Sequence, residues 1–188
     1  MKTAERKQFK QIVFTDDVLN EEYENCEFIN CTFAEIHIGK VGFDHCKFTD
    51  CNLSLCKMNT TSWSEIEFVD CKMTGIEFTY CNNYSLSVGF TKCNLQYALF
   101  VGTNLHDTIF DGCNLQGADF SEANLKGASF MDCDLALAVF SKTNLEKANF
   151  TTAVNFEIDP TNNRLKKARF SRYGLAGLVS TFGVQVVG

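Results

Sequence analysis

The sequence predicts an all-β solenoid of square cross-section, and three observations carry that prediction. The ten cysteines fall at positions 26, 31, 46, 51, 56, 71, 81, 93, 113 and 133, so every gap up to Cys81 is a multiple of five and every gap from Cys93 is twenty. A large apolar residue follows two places behind most of the small ones, as in Cys26-Glu27-Phe28, Cys51-Asn52-Leu53, Ala98-Leu99-Phe100 and Ala118-Asp119-Phe120. The cysteine columns recur every twenty residues, with Cys31 repeating at Cys51 and Cys71, and Cys93 at Cys113 and Cys133. Residues two apart in extended chain point the same way, so the small and large side chains face inward together and the polar residue between them faces out. The remaining two residues of each five must turn the chain. A period of five drifts against the 3.6 of a helix, and it leaves no room for strands of ordinary length. Four edges of five residues make one coil, stacked on the next at about 4.8 Å.

The elements follow in chain order. Residues 1–18 read as an N-terminal cap, charged at the start and with no apolar run after Met1-Lys2-Thr3 that would make a signal peptide. Residues 19–170 read as the repeats. Large positions step by five from Tyr23 to Phe78, but Phe78 to Phe90 is twelve residues where ten would serve, so two extra residues sit between Tyr80 and Gly89 and predict a bulge. Residues 171–188 break the pattern. Ser171 is placed to cap a helix. Leu175, Leu178, Val179 and Phe182 follow at i, i+3, i+4 and i+7 on one apolar face, Gly183 suits the stop, and Val184 to Gly188 reads as a short strand.

Composition excludes several function classes. The 188 residues carry a net charge of −6, without the basic footprint of a direct nucleic-acid binder. No apolar run approaches the ~18 residues of a membrane span, and the absence of a leader predicts a cytoplasmic protein with free thiols. Cys-x-x-Cys spacing is missing, so no metal site is expected. No phosphate-binding loop appears around Gly39-Lys40-Val41. His37, His45 and His106 complete no nucleophilic arrangement, since His45 lies at an outward corner while Cys46 points in. Trp63 occupies an axial position. A packed axis leaves no cleft for a small-molecule substrate, so no catalytic residue and no cofactor are assigned.

The run Ala118-Asp119-Phe120-Ser121-Glu122-Ala123-Asn124-Leu125-Lys126-Gly127-Ala128 resembles the consensus of the pentapeptide repeat family. That resemblance implies a right-handed quadrilateral β-helix over about residues 20–170. The ending Phe-Gly-Val-Gln-Val-Val-Gly is similar to that of the Qnr and MfpA-like fluoroquinolone-resistance group. In that group the C-terminal helix and strand cover the open coil and pair two subunits. The resemblance therefore implies a homodimer joined through Leu175, Leu178, Val179, Phe182, Val184 and Val186. Qnr proteins also project loops from their coils. Here Gly42 to Lys47 and on to Phe48 runs without an insertion, which places the chain nearer the loop-free type. The group is described as mimicking duplex DNA. This implies a non-enzymatic protein that binds a type II topoisomerase, DNA gyrase or topoisomerase IV, and modulates quinolone sensitivity. The alternative is a structural or protein-binding scaffold with an unrelated partner.

The charge map bears on that choice. Residues 11–135 hold 19 acidic side chains against 6 lysines, a net of −13, while residues 1–10 carry +3 and residues 136–188 carry +4. This is about one net charge per ~2.2 Å of rod, against ~1.7 Å for B-DNA. Between residues 21 and 80, two adjacent edges carry Glu21, Glu22, Glu24, Glu27, Asp44, Asp50, Glu65, Glu67 and Asp70 against Lys47, a net of −8. The other two edges carry Glu35 and Glu77 against Lys40, Lys57 and Lys72, a net of +1. An acidic stripe on one side is the expected partner surface. Arg164, Lys166, Lys167, Arg169 and Arg172 gather near the C-terminus as a solvated basic patch.

Overall fold

The computed structural model describes residues 3–16, 22–84 and 86–184. Its chain winds as a right-handed quadrilateral β-helix of about eight coils closed by a C-terminal helical segment. Each inward pair of side chains sits on one short edge of a coil, and the polar residue between them faces solvent. Ile66–Val69 shows this directly, with Ile66 and Phe68 buried and Glu67 between them exposed.

Two of the four faces form continuous parallel sheets. The first face pairs β1 (Thr3–Glu5), β3 (Glu22–Glu24), β5 (Gly42–Asp44) and β7 (Ser62–Ser64). The second face runs the length of the rod. It holds β2 (Gln8–Lys10), β4 (Glu27–Ile29), β6 (Lys47–Thr49), β8 (Ile66–Val69), β9 (Val88–Thr91), β10 (Ile109–Asp111), β11 (Ser129–Met131), β12 (Asn149–Phe150) and β13 (Arg169–Phe170). The third and fourth faces are too short for strands and stack through single bridges, such as Asn52↔Lys72 and Leu99↔Asp119.

The register is twenty residues per coil, as in Phe28↔Phe48 and Phe110↔Phe130, but twenty-two at Phe68↔Phe90. The two extra residues lie between Asn82, whose N–H donates to Thr61 O at 3.0 Å, and Ser87, whose N–H donates to Trp63 O at 2.8 Å. This is the bulge that the spacing predicts, and it ends the first sheet at β7. Above it the first face continues through a ladder of amides. Asn124 Nδ2 donates to Asn104 Oδ1 at 2.8 Å, and Asn144 Nδ2 donates to Asn124 Oδ1 at 2.9 Å.

Residues 3–16 are not a separate cap. Ala4 pairs with Tyr23 and Phe9 with Phe28, so this stretch is itself a coil, stacked at nineteen residues on the next. Ala4, Phe9 and Phe14 continue the five-residue pattern inward.

The core is a set of aromatic columns. On the second face Phe28, Phe48, Phe68, Phe90, Phe110, Phe130 and Phe150 stack ring on ring at centroid separations from 4.5 to 5.4 Å. Phe78, Phe100, Phe120 and Phe140 form a second column on the fourth face at 5.0 to 5.2 Å. The columns meet edge to face, as in Phe110–Phe120 at 5.9 Å and 82°, the offset that ring quadrupoles prefer. Tyr23, Phe43 and Trp63 stack on the first face, and Trp63 is fully buried.

The small inward position has its own logic. Cys51, Cys71, Cys93 and Cys113 donate Sγ–H to the carbonyls of Phe28, Phe48, Phe68 and Phe90, one coil back, at 3.4 to 3.5 Å. Thr143 Oγ1 makes the same bond to Phe120 O at 2.9 Å. All ten cysteines are free and buried. Burial pushes the thiols of Cys46, Cys56 and Cys81 up to about 12, so they stay protonated at neutral pH.

At the C-terminal end Ser171 Oγ accepts from Gly174 N at 3.1 Å and caps a 3₁₀ turn over Arg172–Gly174. Helix α1 spans only Ala176–Val179, and a second 3₁₀ turn over Ser180–Phe182 stops at Gly183 with φ 66°. The apolar spacing implies a longer helix. Its interior contains Gly177, which is poor in a helix, and α1 is held to the last coil there by Ile158 N–H donating to Gly177 O at 2.9 Å. Leu178 packs against the core, whereas Leu175, Phe182 and Val184 are exposed. Val186 and the rest of the expected strand lie outside the described residues.

Candidate partner-binding surface

The stripe is built by coil periodicity. Residues twenty apart stack, so Asp44 lies between Glu24 and Ser64, Lys47 between Glu27 and Glu67, and Gly42 between Glu22 and Ser62. Glu22, Glu24 and Asp44 sit on the first face, and Glu27 and Glu67 on the second. Glu65 occupies the corner between these faces, and Asp50 and Asp70 occupy the next corner, all three with φ of 52–53°. Glu22, Glu24, Glu27, Asp50, Glu65, Glu67 and Asp70 are exposed, and Asp44 is half-buried. The structure thus brings the eight acidic residues onto two adjoining faces and their corners; Glu21 lies outside the described residues.

Local partners thin this charge. Lys47 Nζ lies 3.1 Å from Glu67 Oε2, and Gln8 Nε2 donates to Glu27 Oε2 at 2.7 Å. His45 sits between two carboxylates, with Nδ1 3.0 Å from Asp44 Oδ2 and Nε2 3.0 Å from Glu65 Oε2. The hydrogen bond to Asp44, then the charges of Asp44 and Glu65, raise the His45 imidazole above its ordinary 6.5. Asp44 is lowered from 3.8 by a hydrogen bond from Ser64 and then by His45.

Two open grooves flank the His45 corner. One, of about 640 Å³, is lined by His45, Lys47, Glu65, Glu67, Asp107 and Ile109, and is floored at Gly89, where the strand carries no side chain. The other, of about 800 Å³, lies along the first face among Glu22, Glu24, Lys40, Asp44 and Ser64. Further up the same corner the charge reverses. Asp107, Gly127, Lys147 and Lys167 stack one above another through backbone bonds such as Gly127 N–H to Glu146 O and Lys147 N–H to Lys166 O. Arg164 pairs with Glu146 at 2.8 Å, and the Arg172 guanidinium lies over the Tyr173 ring at 5.1 Å.

The remaining sequence candidates are not drawn together. His37 and His106 are exposed on different faces, and Trp63 is core. Sequence reasoning missed the Asp44–His45–Glu65 contact. Its signal is the twenty-residue step from His45 to Glu65, the same step that relates the cysteines. Among the described residues no helix is long and apolar enough to cross a membrane.

A filled axis, short parallel edges and charged side chains confined to the outer faces define a β-solenoid. This chain belongs to the pentapeptide repeat family: the profile described as a pentapeptide repeat region matches residues 22–100, 87–151 and 103–179. Among solved structures it is similar to a trypsin-treated variant of QnrB1, described as a plasmid-mediated fluoroquinolone resistance protein. That match has 18% identity and a TM-score of 0.64, covering 96% of this chain and 99% of the other. A second trypsin-treated QnrB1 variant matches at 21% identity and TM-score 0.47 over 98% and 100% of the two chains. Full-length QnrB1 matches at 19% identity and TM-score 0.48 over 97% and 100%. The first likeness shows a shared fold. Comparison of the sequence with curated proteins finds no match.

Proposed function

We propose that this protein is a non-enzymatic, protein-binding rod whose acidic stripe presents duplex-like charge to a type II topoisomerase, with quinolone sensitivity as the property it modulates. The observation that carries this reading is the stripe itself. Glu22, Glu24, Asp44, Glu65 and Glu67 lie on adjoining faces of successive coils, and the coils repeat at about 4.8 Å. The fold shared with a QnrB1 variant supports it. DNA gyrase supercoiling, assayed with and without a quinolone over micromolar protein, tests it. Inhibition of supercoiling or relief of the drug is expected, and no effect of either kind rejects the reading.

The reversal of charge at Lys147 and Lys167 favours a second reading, because a duplex keeps one sign along its length. On that reading the rod is a scaffold for an unrelated protein. A pull-down that returns another reproducible partner and no topoisomerase subunit would select it. Dimerisation through Leu175, Leu178, Val179, Phe182, Val184 and Val186 belongs to both readings.

A further inference from the structure

We infer that Asp44, His45 and Glu65 form a proton-operated clasp between two coils that sets the charge, and so the partner affinity, of the acidic stripe. This rests on the stripe being the partner surface. The geometry supplies the argument. Both imidazole nitrogens lie 3.0 Å from carboxylate oxygens. A carboxylate only accepts, and a neutral imidazole has one donor and one acceptor. Both contacts therefore require the imidazolium. When the proton leaves, one nitrogen lone pair faces a carboxylate and that contact opens. One half of the clasp is thus always lost in the neutral form.

The acidic neighbours all point the same way. Glu24 approaches from the coil below and Glu65 from the coil above, and both favour the charged ring. Glu67 and Asp107 line the same groove as His45, and Lys47 there is held by Glu67. Ser64, in the coil above, holds Asp44 in its ionised form. The clasped stripe counts eight carboxylates against Lys47 and His45. The open stripe counts the same eight against Lys47 alone, with Asp44 or Glu65 released to solvent. A basic partner is therefore held more weakly below the His45 midpoint and more tightly above it.

The test has two arms. In the first, the His45 ring nitrogens are followed by NMR across about pH 5 to pH 8. The expected midpoint lies above 6.5 and returns toward it when Asp44→Asn and Glu65→Gln are combined. A midpoint at or below 6.5, or one unmoved by that double substitution, overturns the clasp. The second arm measures binding of a fluorescent lysine-rich peptide at low salt over the same range. Wild-type affinity should tighten about two- to fivefold as pH rises, the scale of one exposed ion pair. His45→Asn should bind without that pH dependence; asparagine tolerates the positive φ at this corner. Wild-type binding that ignores pH overturns the regulatory role even with a raised midpoint. A peptide that binds at no pH instead rejects the stripe as a surface for basic partners, and the NMR arm alone then decides the clasp.

Discussion

At the scale of the residue, the fold depends on two kinds of position that recur every five. Corner residues such as Asn25, His45, Leu55 and Tyr97 hold φ between 50 and 58°, a conformation that costs a non-glycine residue about 1–3 kcal/mol. Backbone bonds to the next coil, such as His45 N–H to Ser64 O at 2.9 Å, offset that cost. Inward residues supply the rest. Phe110 is wholly buried between Phe90 and Phe130, with centroids 5.1 and 5.0 Å away. Phe110→Ala should therefore lower stability by about 3–5 kcal/mol in urea unfolding. A loss below about 1 kcal/mol would mean that the column is not what holds the coils together. The thiols give an independent check. Ten buried cysteines should resist Ellman's reagent in the native protein and react together on denaturation, because the nucleophile is the exposed thiolate. Fast reaction of any of them in the folded state would contradict the inward columns. These positions are legible in the sequence because cysteine and phenylalanine mark them almost without interruption. The His45 contact is harder to see, since it needs the coil period to be applied to an outward, polar position.

At the scale of the element, legibility fails where the period changes. Ala4, Phe9 and Phe14 carry the five-residue pattern, yet this first coil pairs with the next at nineteen residues and contains no cysteine. A search keyed on cysteine and a twenty-residue step passes over it. The C-terminal segment fails for a different reason. Its apolar spacing describes which side chains could share a face, whereas the fit to the last coil is made at Gly177. A Cβ there would meet the carbonyl oxygen of Phe156, with the Phe156 ring 3.0 Å away. Gly177→Ala should lift α1 from the last coil at a cost of about 1–3 kcal/mol. Amide exchange should then rise at Ile158, whose N–H bonds to Gly177 O. Unchanged protection at Ile158 would place the closure elsewhere. The exposed side chains of Leu175 and Phe182 carry the dimer proposal. Leu175→Asp with Phe182→Asp should convert a dimer to a monomer in light scattering, and a wild-type monomer would remove the proposal.

At the scale of the whole molecule, charge and continuity decide behaviour. His45 is raised from 6.5, so its contribution to stability is complete below that value and is lost as pH climbs through its folded midpoint. Asp44 is lowered from 3.8, so its contribution is present above that value and is lost as pH falls through its folded midpoint. His45→Asn should therefore flatten the thermal stability profile where pH rises from 6.5 through the folded His45 midpoint. A profile identical to wild type would show that the clasp does not couple the coils. Partner binding through the stripe should also weaken with added salt, since exposed charges are screened beyond about 8 Å at physiological ionic strength. The bulge between Asn82 and Ser87 has a mechanical consequence. The nine-stranded sheet passes it unbroken, while the four-stranded sheet stops at β7. The rod is a beam spliced on one flange only. Bending load at its midpoint falls on the other three faces, which stay bonded across it through β8 with β9, Lys72 with Asn94 and Glu77 with Leu99, and the compliant direction opens or closes the first, where Asp44 lies one coil below β7 and Glu22 and Glu24 lie two below.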